Sequence, residues 1–310
     1  MSGPPGDIWR VGRGGDGYPP ALLDLDEDAP IALYGRGNAD LVRRLTKAET
    51  LTIVGSRRPS SYGLEVAEEL GHLLGAAGLV IVSGMARGID AAAHRGALAG
   101  GGSTVAVLGS GPDVVYPRSE RGLYERIVAS GAVVSEALPG TRPGRGCFPK
   151  RNRIMAALGA MTVVVEAAEP SGSLITAERA HKLGREVGAV PGRVTSRVAR
   201  GTNGLLADGA AVIRDAQDVL DCLLGAGMTA VRPVGPSLEP ELARVADAVE
   251  GGAATPDAVA VAGGLQAPEA AVALARLELL GYVRVDAAGR YARTSRRAPE
   301  PRREATTLNP

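Results

Sequence analysis

Aromatic side chains are nearly missing from this sequence. One Phe, one Trp and seven Tyr make up 3% of 310 residues, so the core must be built from Ala, Val, Leu and Ile. Cysteine is as scarce. Cys147 and Cys222 stand far apart, and with three scattered histidines (His72, His94, His181) no metal-ligand spacing arises. No metal and no cofactor are expected. No apolar run reaches membrane-spanning length and no secretory leader pattern is visible, which makes no membrane partner and a cytoplasmic location the expectation. An excess of either charge is lacking too. At a net charge of +1, attraction of the whole molecule to nucleic acid is excluded, and any such case rests on local clustering. The G-x-G-x-x-G fingerprint is missing from the place dinucleotide folds require, and so is G-x-x-x-x-G-K-[ST]. Neither NAD nor P-loop ATP chemistry is supported. No spacing nominates a Ser/His/Asp set, so no catalytic residue is expected; His94 reads as a core-edge residue rather than a base.

What is there is a globular composition, 45% hydrophobic and 22% charged, with length for one large domain and a small one. Residues 1–17 are rich in Gly and Pro and are expected to be disordered, with a lead-in from Tyr18 to about Gly37. Over 51–225, apolar runs at 51–54, 79–82, 105–108, 132–134, 162–165 and 187–190 alternate with helical patterns, among them 91–99 and 216–224. That alternation predicts an α/β fold: an extended Rossmann-like parallel sheet with helices on both faces, spanning 18–225. Ligands in such sheets bind beyond the carboxyl ends of the strands, where the Gly-rich turns of this sequence fall. Residues 226–240, with Pro233, Pro236 and Pro240, read as a linker. Residues 241–294 pattern as three helices and a small hairpin, with Thr255 before Pro256 as an N-cap and Gly281 as a C-terminal stop. This suggests a small winged-helix-like domain. The tail 295–310 is expected to be disordered.

Four segments could carry chemistry. In V-G-S-R-R-P, Gly55 and Ser56 allow close approach of a ligand to the backbone and Arg57 supplies a fork for phosphate. In S-G-M-A-R-G-I-D, Ser83, Gly84, Arg87 and Gly88 stand at the equivalent place after the next strand. Each glycine alone could serve a tight turn, but two such loops with an Arg each suit a sugar–phosphate backbone. In R-P-G-R-G-C-F-P-K-R-N-R, Phe148, Lys150, Arg151, Asn152 and Arg153 lie in a basic stretch with no acidic residue. Charge that tracks a backbone beside a ring that stacks on a base is the composition a single strand wants; the alternative is a core-filling Phe in a solvated run. In S-G-S-L-I-T-A-E, Ser171, Gly172, Ser173 and Thr176 offer hydroxyls and N–H groups at a helix start, as caps or as an anion cradle.

V-G-S-R, S-G-x-A-x-G-I-D, F-P-x-R-N-R and S-G-S-L-x-T-A in this order resemble the DprA/Smf family (DNA-processing protein A), from Tyr18 to about Leu224. The resemblance implies an extended Rossmann fold that binds single-stranded DNA in a basic pocket. It further implies a homodimer that loads the recombinase RecA on incoming strands in natural transformation, during competence. Arg57, Lys150, Arg151 and Arg153 would contact phosphates, and Gly55, Ser56, Gly84, Arg87, Ser171 and Ser173 would line the pocket. Many members begin with a helical domain that is missing or truncated here, and its functions are not carried over. Val219, Leu220, Leu223 and Leu224 on helix 216–224 either pack on the sheet or form a face for a second copy or for RecA. The expected third C-terminal helix carries Glu269 and Glu278 against Arg276, which speaks against duplex reading and against a transcription factor. An alternative of another class is a phosphoribohydrolase-like enzyme on the same fold, loosely echoed by Gly172, Thr176 and Glu178.

Overall fold

The computed structural model describes residues 7–144, 146–225, 238–286 and 289–294. They fall into two compact units divided at Val231 and Arg232.

The first unit is built on one nine-stranded sheet. Its elements in chain order are β1 (Trp9–Gly12), a 3-10 helix (Pro20–Asp28), β2 (Ala32–Gly37), α1 (Ala39–Arg43), β3 (Thr50–Val54), α2 (Ser61–Ala76), β4 (Val80–Ser83), α3 (Ile89–Ala99), β5 (Thr104–Val107), a short 3-10 turn (Arg118–Glu120), α4 (Arg121–Ser130) and β6 (Ala132–Ser135). There follow α5 (Cys147–Leu158), β7 (Met161–Val164), α6 (Gly172–Lys182), β8 (Glu186–Ala189), a 3-10 turn (Arg197–Ala199), α7 (Arg200–Ala207), β9 (Ala211–Val212) and α8 (Ala216–Leu224). The strand order is β1-β2-β6-β5-β4-β3-β7-β8-β9, parallel from β6 to β9, with β2 antiparallel to β6 and β1 antiparallel to β2.

The central strands are apolar on both faces because helices cover both. Leu51 and Ile53 of β3 turn toward α2, α3 and α8, while Val54 joins Val82, Val107 and the α5 residues Ile154 and Met155 on the other side. The chain lays β4, β5 and β6 on one side of β3, then returns to lay β7, β8 and β9 on the other. Strand order therefore reverses between β3 and β7, and the loops that follow the parallel strands lie at their carboxyl ends, where open α/β sheets place their ligands.

The expected disorder over 1–17 lies outside the described residues for 1–6 and is corrected from residue 7 on: Trp9–Gly12 is an edge strand whose Trp9 ring lies over Gly35, and Trp9 Nε1 donates to the Gly37 carbonyl at 3.2 Å. Four residues in a Gly-rich setting give too short a pattern to read as a strand.

The second unit contains α9 (Pro240–Glu250), α10 (Pro256–Gly263), α11 (Ala267–Leu279) and a hairpin of β10 (Val283–Val285) with β11 (Tyr291–Arg293). Leu242, Val245, Val249, Leu274, Leu277 and Tyr282 form its core. Thr255 caps α10 by accepting from Ala258 N at 3.3 Å, and Gly281 follows α11 at φ 76°. The expected linker lies outside the described residues except at its end, where Pro240 already opens α9, and the tail 295–310 lies outside them entirely.

Candidate nucleic-acid interface

The loop after β3 is built against the segments that follow β7 and β4. Ser56 N donates to the Glu166 carbonyl at 2.7 Å, and Ile89 N donates to the Ser56 carbonyl at 3.2 Å. Gly88 stands at φ 84°, and a Cβ there would fall 2.4 Å from the Ser56 carbonyl oxygen, so only glycine lets the two backbones meet. Gly55 is packed against Ile89, and buried Met85 holds φ 55°, a conformation a non-glycine residue adopts at a cost of about 1–3 kcal/mol. This stacking leaves Arg57, Arg58 and Arg87 exposed on one rim. Arg87 Nε donates to Ser119 Oγ at 3.1 Å. Ser83 is not on that rim: its hydroxyl is fully buried and donates to the Ile53 carbonyl at 2.6 Å, joining β4 to β3.

Between the rim and the start of α5 lies a cavity of about 540 Å³. Arg57, Arg87, Tyr116, Arg118, Phe148 and Arg151 are among its walls. The Phe148 ring is half-buried, with the Arg57 guanidinium 5.1 Å from its centre on one side and the Tyr116 ring 5.6 Å away on another. The only Phe of the protein thus stands in a cavity wall between a cation and a second ring, not inside the core.

The helix that carries Phe148 divides its own charges. Arg151 points inward and is 5% exposed. Its Nη1 donates to the carbonyls of Gly84 (2.7 Å) and Val107, and its Nε to Asn152 Oδ1 (3.2 Å). A Cβ on Gly84 would sit 2.1 Å from that Nη1, so this glycine exists to admit the guanidinium. Burial pulls the Arg151 pKa down to about 10, with neighbouring Asp90 acting in the opposite sense. Burial raises the Asp90 carboxyl, opposed by Arg151 and by the Ala86 N–H. Arg151 is therefore the floor that locks the β4 and β5 ends to α5, with Nη1 on two backbone carbonyls and Nε on Asn152. Lys150 is exposed and makes no ion pair with a described residue. Arg153 faces away, its two nitrogens on Glu136 at 2.8 and 2.6 Å and its Nε on the Asp28 carbonyl at 2.8 Å, in a different hollow with Arg10 and Tyr34. Arg153, which the resemblance places among the phosphate contacts, has its fork on a carboxylate at the exit of β6.

Ser171, Gly172, Ser173 and Thr176 do not line the cavity; they start α6 after β7. Ser171 caps the helix through Ser173 N, its Oγ lies 2.8 Å from Ser173 Oγ, and Thr176 Oγ1 bonds back to the Gly172 carbonyl at 3.4 Å. Asn152 Nδ2 donates to that same carbonyl at 3.0 Å, tying α5 to α6.

Sequence reasoning missed Glu166. Buried at the end of β7, its carboxylate accepts from Ser60 N (2.8 Å) and Ser60 Oγ (2.6 Å) and so fixes the α2 start just beyond Arg57. An acid directly after an apolar run was its one signal. Tyr116 and Arg118 were missed as well, because they lie in a loop and at the start of a short 3-10 turn, without periodicity. His94 is fully buried against Thr104 Oγ1 (2.7 Å), and burial with the nearby Arg151 charge pushes its pKa down to about 3.

Of the two readings of the 216–224 row, the structure favours packing within the domain over a face for a second copy or RecA. Val219 and Leu220 are buried in the sheet core and Leu223 packs against it, leaving Leu224 exposed. The row is apolar because α8 packs against α2 and closes the same core cluster, with Val190 and Ile213. Among the described residues no cluster of metal-ligating side chains occurs, and no single helix is long and apolar enough to cross a membrane.

Fold and site together define a Rossmann-like α/β protein with a basic, aromatic-lined cavity at the carboxyl ends of β3, β4 and β5. The chain belongs to the DNA recombination-mediator protein A family, whose profile matches residues 10–224. The DNA processing protein DprA of Streptococcus pneumoniae is 44% identical over 207 residues, covering 66% of this chain and 71% of that protein. A putative DprA of Mycobacterium tuberculosis is 40% identical over 259 residues, covering 82% of this chain and 66% of its own length. The crystal structure of the pneumococcal protein superimposes with a TM-score of 0.64 at 40% identity, over 70% of this chain and 74% of that one. DNA processing protein A from Helicobacter pylori, solved for its single-stranded DNA binding mode, gives 0.63 at 30% identity, over 70% of this chain and 96% of that one.

Proposed function

We propose that this chain binds single-stranded DNA in the cavity at Phe148 and acts, without catalysis, as a recombination mediator. In this reading it is a cytoplasmic homodimer that hands incoming strands to RecA in natural transformation. The observation that carries the proposal is the Arg57–Phe148–Tyr116 arrangement: a guanidinium and two rings in one cavity, with exposed Arg58 and Arg87 in its wall and exposed Lys150 two residues along α5 from Phe148. Arginine neutralises phosphate and the rings stack bases, a combination that suits unpaired strands and has no use for a closed duplex. Membership of the family and the binding mode reported for the Helicobacter relative support it. The dimer and RecA parts rest on that kinship alone.

The enzyme alternative has less behind it. Thr176 is buried and bonded to Gly172, while Glu178 is exposed and paired with Lys182 at 2.5 Å. Equal-length single- and double-stranded oligonucleotides, titrated at two salt concentrations, test the proposal. Preference for the single strand supports it, and equal affinity refutes it. Release of free base from AMP, abolished by Glu178→Gln, would favour the enzyme.

A further inference from the structure

The chain holds a second basic cluster that none of the family motifs includes. Between Glu186 and Asp208 there is no acidic residue, and the turn after β8 exposes Arg193, Arg197 and Arg200. None of the three makes an ion pair with a described residue. The turn is rigidly built: Asn203 donates to the Gly192 carbonyl at 3.0 Å and accepts from Gly192 N at 3.2 Å, and Gly201 N donates to the Ala167 carbonyl at 2.8 Å. It lies at the same sheet edge as the cavity, because β8 is parallel to β3 with β7 alone between them. Two strand spacings put the β8 exit, from which the turn leaves, about 10 Å from the β3 exit. A ring spans the gap. Tyr62, four residues beyond Arg58, is 47% exposed and donates its hydroxyl to the Pro191 carbonyl at 3.2 Å, at the foot of the arginine turn. Glu166 and Glu65 near Tyr62 and Glu169 beside Gly204 are carboxylates that border this surface; Glu166 is buried and bonded to Ser60.

We propose that Tyr62 with Arg193, Arg197 and Arg200 forms a second station for the same single strand, which leaves the cavity past Arg58, stacks a base on Tyr62 and lays its next phosphates on the arginine turn. The proposal rests on the reading of the cavity above. Unpartnered guanidinium groups in a row are a cost in self-repulsion that a polyphosphate relieves, and an exposed ring pinned between two cationic clusters is the stacking platform single-strand grooves use.

The test uses the full chain and two oligothymidylates. One of about 5 nucleotides, near the lower end of single-strand site sizes, fills the cavity alone, and one of about 20 reaches beyond it. Arg193→Gln/Arg197→Gln/Arg200→Gln is expected to lower the salt slope for the long strand by about 2, at roughly 0.7 per lost phosphate contact. Tyr62→Ala is expected to weaken long-strand binding about tenfold, and Tyr62→Phe to leave it unchanged, since the ring stays. All three bind the short strand as the unaltered chain does, which also reports an intact fold. Long-strand binding unchanged in the triple variant and in Tyr62→Ala would overturn the second station alone. Absence of short-strand binding by the unaltered chain would instead overturn the reading of the cavity, and this proposal with it.

Discussion

The guanidinium of Arg57 lies 5.1 Å from the centre of the Phe148 ring, which joins the loop after β3 to the first turn of α5 across the mouth of the cavity. A cation over an aromatic face is worth about 0.5–1 kcal/mol at such a half-exposed site, enough to hold both groups in place before a ligand arrives. The arrangement sets a phosphate-binding fork and a stacking surface side by side.

Phe148→Ala is expected to weaken single-strand binding by about 1–3 kcal/mol, the range for loss of one base–aromatic stack. Phe148→Tyr retains most of the affinity. Fluorescence anisotropy with a labelled oligonucleotide measures both, and equal affinity of the alanine variant would show that the ring is only packing.

Arg151 and Lys150 are neighbours with opposite roles. Arg151→Ala leaves the carbonyls of Gly84 and Val107 without their donor and buried Asp90 without its counter-charge, so a loss of about 3 kcal/mol in unfolding free energy is expected. Gly84→Ala drives a methyl into the same guanidinium and is expected to act in the same direction. Lys150→Ala leaves the urea midpoint where it was and lowers DNA affinity. A stability profile that is flat for Arg151→Ala would contradict the positioning role.

Arg153→Ala is expected to leave the salt slope of DNA binding unchanged, because its fork is already on Glu136. A slope lowered by about 0.7 would return Arg153 to the phosphate contacts.

How far these features were legible in the sequence differs by kind. The run 51–54 and its successors announced the parallel sheet, because burial on both faces leaves continuous apolar strands, and 216–224 was read to the residue. The four motif loops were found, since glycine and arginine after an apolar run are local signals. What escaped was set by three-dimensional partners. Arg151, Lys150 and Arg153 are indistinguishable as a basic run, yet helical geometry sends one into the floor, one to solvent and one to Glu136. Tyr116 and Arg118 reach the cavity from a loop and the start of a short 3-10 turn, and the apolar row of α8 could not reveal whether it packed within the domain or met a partner.

Histidine adds a pH dependence. His94 is held neutral in the fold, its pKa pushed down to about 3 from 6.5. Below about pH 6.5 the unfolded chain takes up a proton there that the folded chain does not, so stability rises with pH between about 3 and 6.5 and the contribution is complete above that window. The expected slope approaches about 1.4 kcal/mol per pH unit toward the middle of the window. Urea unfolding at a series of pH values measures it, and His94→Leu should flatten the profile between pH 4 and 6 by about that slope. An unchanged profile would mean that His94 is accessible to protons in the folded state.

The central claim is that the Phe148 cavity holds the single strand, and the most direct test is a salt-dependent titration of Arg57→Ala/Lys150→Ala beside the unaltered chain. The account predicts a single-strand preference in the unaltered chain and, in the double variant, much weaker binding with a salt slope lower by about 1.4, for two lost phosphate contacts. An unchanged slope and affinity in the double variant would place the strand elsewhere on the molecule and contradict the account.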